Sequence, residues 1–427
     1  MEKLTILVIA ATVIAFALVS ARLERSPVTL PMAFVLVGLL VGPQWLGWIE
    51  IPRDSPVLHV LAEVTLILVL FTDAARIDLK LLRREHDLPV RLLLIGLPLT
   101  IVLGAAVAVP LFSGLSFWEC AVLAVILAPT DAALGQAVVS SSMVPVRIRQ
   151  ALNVESGLND GIALPVVLFL ASLAAMMDSA QGAGHWLRFI SLQLLMGPLA
   201  GIAVAYAGAR LLERSARHGW ITHSFRDLAV VALSLVAYLT AELIGGNGFI
   251  AAFCAGLTLG NLARSLCTCL YEFAEAEGQL LNLLIFLLFG IALAPLVLSA
   301  ATPAMIVYAL ASLTVIRMLP VALSVAGAGL RWQTTMFLGW FGPRGLASIL
   351  FALLVLERAG LPGAPVILDA VLTTVLLSIV LHGASAHWGA ARYAAALARA
   401  GAPAAAAAPE HRPVTEMPLR LPGSADK

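Results

Sequence analysis

The chain has 427 residues, of which 61% are hydrophobic and only 12% are charged, and its mean hydropathy is +0.98. A soluble domain carries about 25% charged residues, so this composition excludes a water-soluble globular protein and indicates a surface that faces lipid. The formal net charge of +1 gives no support for nucleic acid as a partner.

Apolar segments of about 20 residues, the length that spans a bilayer as a helix, follow one another along the chain. They show no strand-like alternation, and lipid offers backbone groups no partners, so an all-α polytopic membrane protein is predicted. The first segment is expected to stay as a helix and not to be cleaved as a signal peptide, because the repeat described below needs it. The thirteen predicted helices span residues 4–21, 29–48, 56–75, 90–111, 117–140, 148–176, 186–210, 226–244, 248–262, 279–298, 303–324, 333–356 and 366–386.

Positively charged residues concentrate in alternate loops between these segments. Cytoplasmic loops carry an excess of lysine and arginine. The alternation therefore predicts an inner (plasma) membrane protein with its N-terminus outside and its C-terminus in the cytoplasm. The basic loops contain Arg22, Arg25, Arg76, Lys80, Arg83, Arg84, Arg91, Arg147, Arg149, Arg210, Arg214, Arg217, Arg226, Arg264 and Arg331, whereas the opposite loops contain Arg53, Arg188 and Arg358.

The composition changes after about Trp388, where the chain becomes rich in alanine and proline, with an unbroken alanine run over residues 404–408. Its prolines oppose a long helix, and it has no large apolar face. Two regions are therefore predicted: a transmembrane domain over residues 1–388 and a disordered cytoplasmic tail over residues 389–427.

The predicted helices also show an internal symmetry. If the seventh helix is a linker, six helices remain on each side, and the two sets enter the membrane from opposite faces. The fifth helix of the first set contains Ala128-Pro-Thr-Asp131, and the fifth helix of the second set contains Gly342-Pro-Arg-Gly345. Broken helices at matching positions of inverted repeats indicate the binding site of a transporter.

The densest polar cluster within an apolar segment spans residues 153–161, in the sixth predicted helix. An ionisable side chain there costs about 2.5–3.5 kcal/mol on insertion scales, so it needs a partner or a function. Helical spacing puts Ser156 and Asp160 on one face and Glu155 and Asn159 on a neighbouring face. Hydroxyl and carboxylate oxygens suit sodium or another hard cation, and the lack of imidazole and thiolate in this segment argues against a transition metal.

Other ionisable residues lie within predicted helices. Thr130 and Asp131 are at the first helix break, where unwound backbone frees carbonyl oxygens that can act as further ligands. Glu155 requires a buried counter-charge, which Arg317 of the eleventh predicted helix can supply. The remaining acids are interpreted as hydrogen-bonding to neighbouring helices or lying near an interface: Glu63, Glu242 and Asp369.

Five segments carry a resemblance to a known family: residues 128–131, Glu155-Ser-Gly-Leu-Asn-Asp-Gly161, Arg317-Met-Leu-Pro320, Phe341-Gly-Pro-Arg-Gly345 and residues 278–290. With them, roughly residues 5 to 388 resemble the monovalent cation–proton antiporters, which include the bacterial NhaP proteins and the animal sodium–proton exchangers. The resemblance implies two inverted six-helix repeats whose broken helices cross, a homodimer, and exchange of sodium, potassium or lithium for protons in pH homeostasis.

The resemblance also implies roles for individual residues. Asp160 is expected to bind the cation and the proton in competition, and Ser156 and Thr130 to complete the ligands of the cation. Asp131 is expected to assist through water. Asn159 marks the subgroup that is expected to exchange one cation for one proton without net charge movement.

The same resemblance implies structural roles for three residues, and the chain differs from many relatives at two positions. Glu155 and Arg317 are expected to form a structural pair, and Arg344 is expected to offset charge and dipoles where the broken helices cross. Many relatives have proline where this chain has Ala132. Relatives often place a glutamate in the third helix near the site, where this chain has Asp73, which is either an ion ligand or a charge at a helix end.

The expected mechanism is alternating access, in which one bundle moves against the other. A bound cation or proton neutralises Asp160 and lets the loaded site cross the membrane field, whereas the empty, charged carboxylate does not cross. No cofactor and no enzymatic activity are expected. Two alternatives stay open: a passive cation channel lined by Asp160, and an intramembrane aspartyl protease using Asp131 and Asp160, although its Gly-x-Gly-Asp motif is absent.

Small residues recur on one face of the seventh predicted helix, at Gly197, Gly201, Ala205 and Gly208. Such a stripe allows close approach of another helix. It is predicted to serve either a dimer or contacts within one chain.

Overall fold

The structure is a computed structural model that describes residues 2–23, 26, 28–52, 55–84, 87–178, 183–263, 280–399, 409–412 and 414. All regular elements in these ranges are helical. In chain order they are α1 (Glu2–Leu23), α2 (Leu30–Val41), α3 (Pro56–Arg76), α4 (Leu79–Arg84), α5 (Asp87–Leu111), α6 (Phe117–Ile126), α7 (Ala132–Val139), α8 (Val146–Asp178), α9 (Ala183–Arg217), α10 (His223–Leu243), α11 (Gly248–Leu262), α12 (Leu280–Ala300), α13 (Pro303–Ser324), α14 (Trp332–Trp340), α15 (Leu346–Ala359), α16 (Ala364–Ala398) and a 3₁₀ turn at Pro409–His411.

Each predicted membrane segment overlaps a described helix or, at the fifth and twelfth segments, a pair of short helices. Within the described ranges, six helices are long and apolar enough to span a bilayer: α5, most of α8, the Ser191–Arg217 part of α9, α12, α13 and α16. The total number of crossings and the orientation of the termini stay predictions. The orientation rests in part on Arg25, Arg53 and Arg264, which lie outside the described residues.

Local sequence explains where several helices begin. Ser116 and Glu119 form a capping box at the start of α6, in which each side chain bonds the backbone N–H of the other residue. Asn247 caps α11 by accepting a hydrogen bond from the backbone N–H of Ile250. Proline in the first turn of α3 and of α13 starts those helices without losing an intrahelical hydrogen bond.

Close backbone contacts fix α11 against α3, the helix that carries Asp73. A Cβ atom added to Gly256 would lie 2.0 Å from the carbonyl oxygen of Phe71, and one added to Gly260 would lie 2.0 Å from that of Ala75. Only glycine permits this approach, so the small-xxx-small spacing of α11 determines how the third and ninth predicted helices pack.

The small-residue stripe of α9 is used within the chain. A Cβ atom on Gly201 would lie 2.2 Å from the carbonyl oxygen of Ala251, and one on Gly197 would lie 2.8 Å from that of Asn247. Ala205 in the same stripe is fully buried. Of the two predicted uses of this stripe, the structure shows the contact within one chain.

The predicted domain boundary at residue 388 falls inside α16, which continues to Ala398. Farther along, Glu410 is fully buried, and its Oε1 accepts hydrogen bonds of 2.9 Å from Arg331 N and 2.9 Å from Thr334 Oγ1. Arg147 Nη1 donates to the carbonyl oxygen of Pro409 at 2.5 Å. The 3₁₀ turn therefore joins the starts of α8 and α14, whereas residues 400–408, 413 and 415–427 of the predicted tail lie outside the described residues.

Candidate functional site

The two helix breaks meet in the structure. Residues 127–131 separate α6 from α7, and residues 341–345 separate α14 from α15. The backbone N–H of Asp131 donates to the carbonyl oxygen of Pro343 at 2.8 Å. Ser348 Oγ donates to the carbonyl oxygen of Ile126 at 2.8 Å. These two stretches, called the crossing below, thus satisfy part of each other's broken backbone hydrogen bonding.

Asp131 caps two helices from the centre of the crossing. Its Oδ1 accepts hydrogen bonds from Ala133 N at 2.7 Å and Leu134 N at 3.0 Å, at the start of α7. Its Oδ2 accepts one from Leu346 N at 2.6 Å, at the start of α15. A carboxylate at a helix N-terminus satisfies orphan N–H groups and complements the helix dipole. Both oxygens of this buried side chain are therefore engaged by backbone.

Glycine at position 345 makes this second cap possible. A Cβ atom there would lie 2.3 Å from Asp131 Oδ2, which no side chain permits. The Gly-Pro-Arg-Gly sequence of the second break is thus shaped around a side chain that belongs to the first break.

Arg344 provides the opposite charge at the opposite helix end. It is fully buried, and its Nη1 donates to the carbonyl oxygens of Ala128 at 2.9 Å and Pro129 at 3.1 Å. These carbonyls lie just beyond the C-terminus of α6, where the helix dipole favours a cation. The crossing therefore has one carboxylate at two helix N-termini and one guanidinium at a helix C-terminus.

Glu155 and Arg317 form a two-bond ion pair next to the crossing. The Nη1–Oε1 distance is 2.6 Å, the Nη2–Oε2 distance is 2.8 Å, and the two residues are only 2% and 1% exposed. A Cβ atom on Gly342 would lie 2.5 Å from Arg317 Nε. The glycine of the second break thus leaves room for the guanidinium, and the pair links α8 to α13.

A polar cluster adjoins the crossing at Thr130. It is defined as Thr130, Ser156 and Asn159, which are hydrogen-bonded to one another, together with Asp160 one helical turn after Ser156. Thr130 Oγ1 is 2.9 Å from Ser156 Oγ, and Asn159 Nδ2 donates to Thr130 Oγ1 at 2.7 Å. All four side chains are at most 8% exposed. Among the described residues, no group donates a hydrogen bond to the buried Asn159 Oδ1. This oxygen is suited to a hard cation.

Asp160 lies one helical turn after Ser156 and is 6% exposed. Beside it, a Cβ atom on Gly161 would lie 2.1 Å from the ring of Phe253. Glycine at this position therefore lets the aromatic side chain of α11 pack directly against α8.

The structure places Asp73 on the helix turn that packs near the polar cluster. Asp73 is 7% exposed. A Cβ atom on Gly157, the neighbour of Ser156, would lie 3.9 Å from the carbonyl oxygen of Asp73 and 3.4 Å from Ile77 Cδ1. In the described part of the chain, no three His, Cys, Asp or Glu side chains converge as a metal site would require.

Glu63 and Glu242, two of the other acids within predicted helices, bond to neighbouring elements. Glu63 accepts a hydrogen bond from the hydroxyl of Tyr238, and Glu242 Oε1 accepts one of 3.0 Å from Gly248 N. Glu119, which is not among the predicted site residues, is 4% exposed and accepts a hydrogen bond of 2.6 Å from Gly363 N. Its capping-box spacing with Ser116 is the signal that could have identified it.

Comparison with known proteins gives three kinds of similarity. A family model described as the transmembrane sodium/hydrogen exchanger matches residues 7–391. The K(+)/H(+) antiporter NhaP of Alkalimonas amylolytica is 25% identical over 385 residues, which cover 89% of this chain and 65% of that protein. The Na(+)/H(+) antiporter NhaS2 of Synechocystis is 28% identical over 411 residues, which cover 91% of this chain and 69% of that protein.

The chain thus spans about two thirds of the length of these relatives. A solved structure of the sodium proton antiporter MjNhaP1 from Methanocaldococcus jannaschii superposes with a TM-score of 0.73 at 21% identity. The match covers 92% of this chain and all of the other. This likeness shows the same fold and confirms the predicted all-α membrane architecture with crossing broken helices.

Proposed function

The chain belongs to the sodium/hydrogen exchanger family of multi-pass membrane proteins, and on that premise we propose that it exchanges a monovalent cation for a proton by alternating access. The observation that carries the proposal is the polar cluster. The hydroxyls of Thr130 and Ser156 and the amide of Asn159 are buried and hydrogen-bonded to one another where a membrane helix is broken, and the buried Asp160 lies one helical turn from Ser156. This is the setting in which transporters bind hard cations.

The cation binds to Asp160, Ser156 and Thr130 in this proposal. Arg344 engages the carbonyl oxygens of Ala128 and Pro129, so the side-chain oxygens of the polar cluster are the better ligands. Asn159 Oδ1 adds a neutral oxygen, and Asn159 Nδ2 orients the Thr130 hydroxyl. The nearby α3 turn makes Asp73 a candidate for a further ligand.

Electrical neutrality of the exchange follows from how the acids near the site are arranged. Glu155 faces Arg317, and Asp131 faces two helix N-termini. Their charges are offset by fixed groups, so we assign exchange to Asp160 on the Ser156 face of α8. One cation or one proton neutralises one carboxylate, which makes a one-for-one, electroneutral cycle. Asp131 then acts on the cation indirectly, through the crossing or through water.

The alternatives fit the geometry less well. Aspartyl catalysis needs two carboxylates that share a proton, whereas both oxygens of Asp131 accept backbone hydrogen bonds. A passive pore has no need for a crossing held together by a carboxylate and a guanidinium. We therefore propose a transporter without enzymatic activity or cofactor. Cation flux that does not depend on a proton gradient would favour the channel instead.

Location and assembly are also part of the proposal. We place the chain in the inner (plasma) membrane with its N-terminus outside and with the residues after α16 in the cytoplasm as a tail. A homodimer remains our expectation. Since Gly197 and Gly201 of α9 already contact α11, a dimer requires a different surface from that stripe.

The test is transport in proteoliposomes that hold an imposed proton gradient and a pH-sensitive dye. Addition of sodium, potassium or lithium should dissipate the gradient in the wild type and rank the three cations. Asp160→Asn should abolish this exchange, whereas Asp227→Asn, at the start of α10, should leave it intact. Failure of every cation to dissipate the gradient, or full activity in Asp160→Asn, would refute the proposal.

A further inference from the structure

Helix α16 presents two buried polar side chains to the second helix break. Ser378 is 0% exposed and His382 is 1% exposed, and they lie one helical turn apart. Neither belongs to the polar cluster or to the Asp131–Arg344 arrangement. A buried polar group is costly without hydrogen bonds, so their partners indicate their role.

Their partners are the two ends of the break. Ser378 Oγ accepts a hydrogen bond of 2.7 Å from Arg344 N, on the downstream side. His382 Nε2 is 2.9 Å from the carbonyl oxygen of Trp340, the last residue of α14 on the upstream side. Ser378 Oγ and His382 Nδ1 are 3.1 Å apart. In addition, Trp340 Nε1 donates to Ser385 Oγ at 2.9 Å.

The chemistry of each group fixes which atom donates in these hydrogen bonds. A carbonyl oxygen can only accept, so His382 Nε2 carries the proton and donates to Trp340. Ser378 Oγ accepts from the Arg344 amide, and its own hydroxyl proton is available for His382 Nδ1. His382 Nδ1 is also 3.1 Å from the carbonyl oxygen of Ser378, to which it donates if it carries a second proton. In either state Nε2 donates to Trp340, and a single turn of α16 holds both sides of the break.

The contacts of Ser378 and His382 with the second break are connected to the polar cluster through Arg344. The residue whose amide is held by Ser378 is Arg344, and its guanidinium holds the carbonyl oxygens of Ala128 and Pro129. The next residue along the chain is Thr130, whose hydroxyl bonds to Ser156 and Asn159. The position of Thr130 therefore depends on contacts that begin at α16.

We propose that His382, together with Ser378, is a positioning residue for cation binding: it fixes the second break so that Arg344 holds Thr130 in place. This inference rests on the proposed exchange function. Because His382 acts through Arg344 and does not touch the cation, its loss should weaken cation affinity more than the maximal rate.

The test measures the half-saturating cation concentration and the maximal exchange rate in proteoliposomes. His382→Phe keeps a ring of similar size but removes both hydrogen bonds. His382→Gln retains a donor near the position of Nε2 and should rescue in part. His387→Phe, an exposed position on the same helix, is the matched control. Ser378→Ala is the second variant, and it tests the same contacts if His382→Phe fails to fold.

We expect His382→Phe and Ser378→Ala each to raise the half-saturating concentration about fivefold. Each substitution acts on the cation only through Arg344, so its effect on binding should be roughly that of one hydrogen bond. The maximal rate should change by less than about twofold. The double variant should bind the cation little worse than His382→Phe, because both residues hold the same helix break and their effects should not add. The inference is overturned if both folded variants keep the wild-type half-saturating concentration, or if they lower only the maximal rate.

The outcome separates this inference from the proposed function. If the wild type exchanges no cation for protons, the proposed function itself has failed. If the wild type is active and these variants bind the cation as it does, only the role of His382 is rejected.

Discussion

The crossing and the polar cluster share one turn of chain at Thr130–Asp131 but satisfy their polar groups in different ways. In the crossing, each charge faces fixed partners: Asp131 caps α7 and α15, and Arg344 holds carbonyl oxygens beyond α6. In the polar cluster, Thr130 and its neighbours bond to one another, and within the described chain Asn159 Oδ1 accepts no hydrogen bond.

The difference shows that burial of a carboxylate does not by itself identify an ion site. Asp131 and Asp160 are both buried, at 5% and 6% exposure, and both lie near a broken helix. Asp131 is bound on both oxygens by backbone amides, from which we infer a structural role. We assign exchange to Asp160 because its face of α8 carries the hydroxyl of Ser156. Loss of the Asp131 carboxylate should therefore reduce stability, and changes in the polar cluster should reduce transport.

The largest expected effect is from Arg317→Met next to the crossing. This substitution leaves Glu155 charged and buried without its two-bond partner, which typically costs about 3–5 kcal/mol. We expect a strong loss of folded protein in a thermal-melting assay in detergent. The double variant Glu155→Leu/Arg317→Met should recover much of the loss, and a single variant as stable as the wild type would show that the pair is not structural.

The next largest effect is expected from Asp131→Ala, which removes the cap from two helices. Each lost cap costs about 0.5–2 kcal/mol, so a lowered melting temperature is expected. Asp131→Asn keeps one carbonyl acceptor and should lose less. An alanine variant that melts like the wild type and lacks only transport would contradict the structural role and return Asp131 to the ion site.

A smaller effect on stability but a clear one on transport is expected from Ser156→Ala. Loss of an oxygen that contacts a charged group costs about 1.5 kcal/mol, or roughly tenfold in cation affinity. The half-saturating cation concentration should rise, whereas the melting temperature without cation should stay close to the wild-type value. Equal cation affinities in the two proteins would remove Ser156 from the ion ligands.

The smallest effect is expected at Glu410, which bonds to the start of α14 and to neither the polar cluster nor the helix breaks. Burial raises the pKa of Glu410, but hydrogen bonds from Arg331 N, its own N–H and Thr334, together with the charge of Arg331, lower the pKa overall below its ordinary value. A lowered folded-state pKa gives stability that is present above the ordinary value of 4.5 and is lost as the pH falls through the folded-state value.

We therefore expect Glu410→Ala to cost about 1 kcal/mol at pH 7. Melting temperatures measured from pH 7 downward should show the difference between variant and wild type shrinking in acid. A difference that grows on acidification would mean that the docked turn is not held by the carboxylate.

Much of the fold and part of the site follow from the sequence. The apolar segments predicted the helices, and the Pro and Gly runs predicted both breaks, because these residues remove helical hydrogen bonds locally. The cost of burying a charge led from Glu155 to Arg317. In contrast, the second helix that Asp131 caps lies more than two hundred residues away, and no local pattern indicates that contact.

The remaining features depend on tertiary contacts in the same way. The stripe of α9 was compatible with a dimer or an internal contact, and only the position of α11 distinguishes the two. His382 and Ser378 are spaced like any polar pair on one helix face, so the sequence does not show that they hold a distant break. The docking of Glu410 onto Arg331 and Thr334 is likewise invisible in an alanine- and proline-rich segment.

The central claim is that these two buried carboxylates, Asp160 and Asp131, have separate roles, and cation-induced thermal stabilisation tests it most directly. A ligand that binds only the folded protein raises its stability in proportion to the logarithm of its concentration over its dissociation constant, once in excess. Wild type, Asp160→Asn and Asp131→Asn would be melted in detergent with increasing sodium, potassium or lithium, with choline as the control.

We predict that Asp160→Asn melts at or above the wild-type temperature without cation but gains nothing from the cation. Asp131→Asn should melt at a lower temperature and still be stabilised by the cation. The opposite pattern, with cation stabilisation lost in Asp131→Asn and kept in Asp160→Asn, would contradict the account.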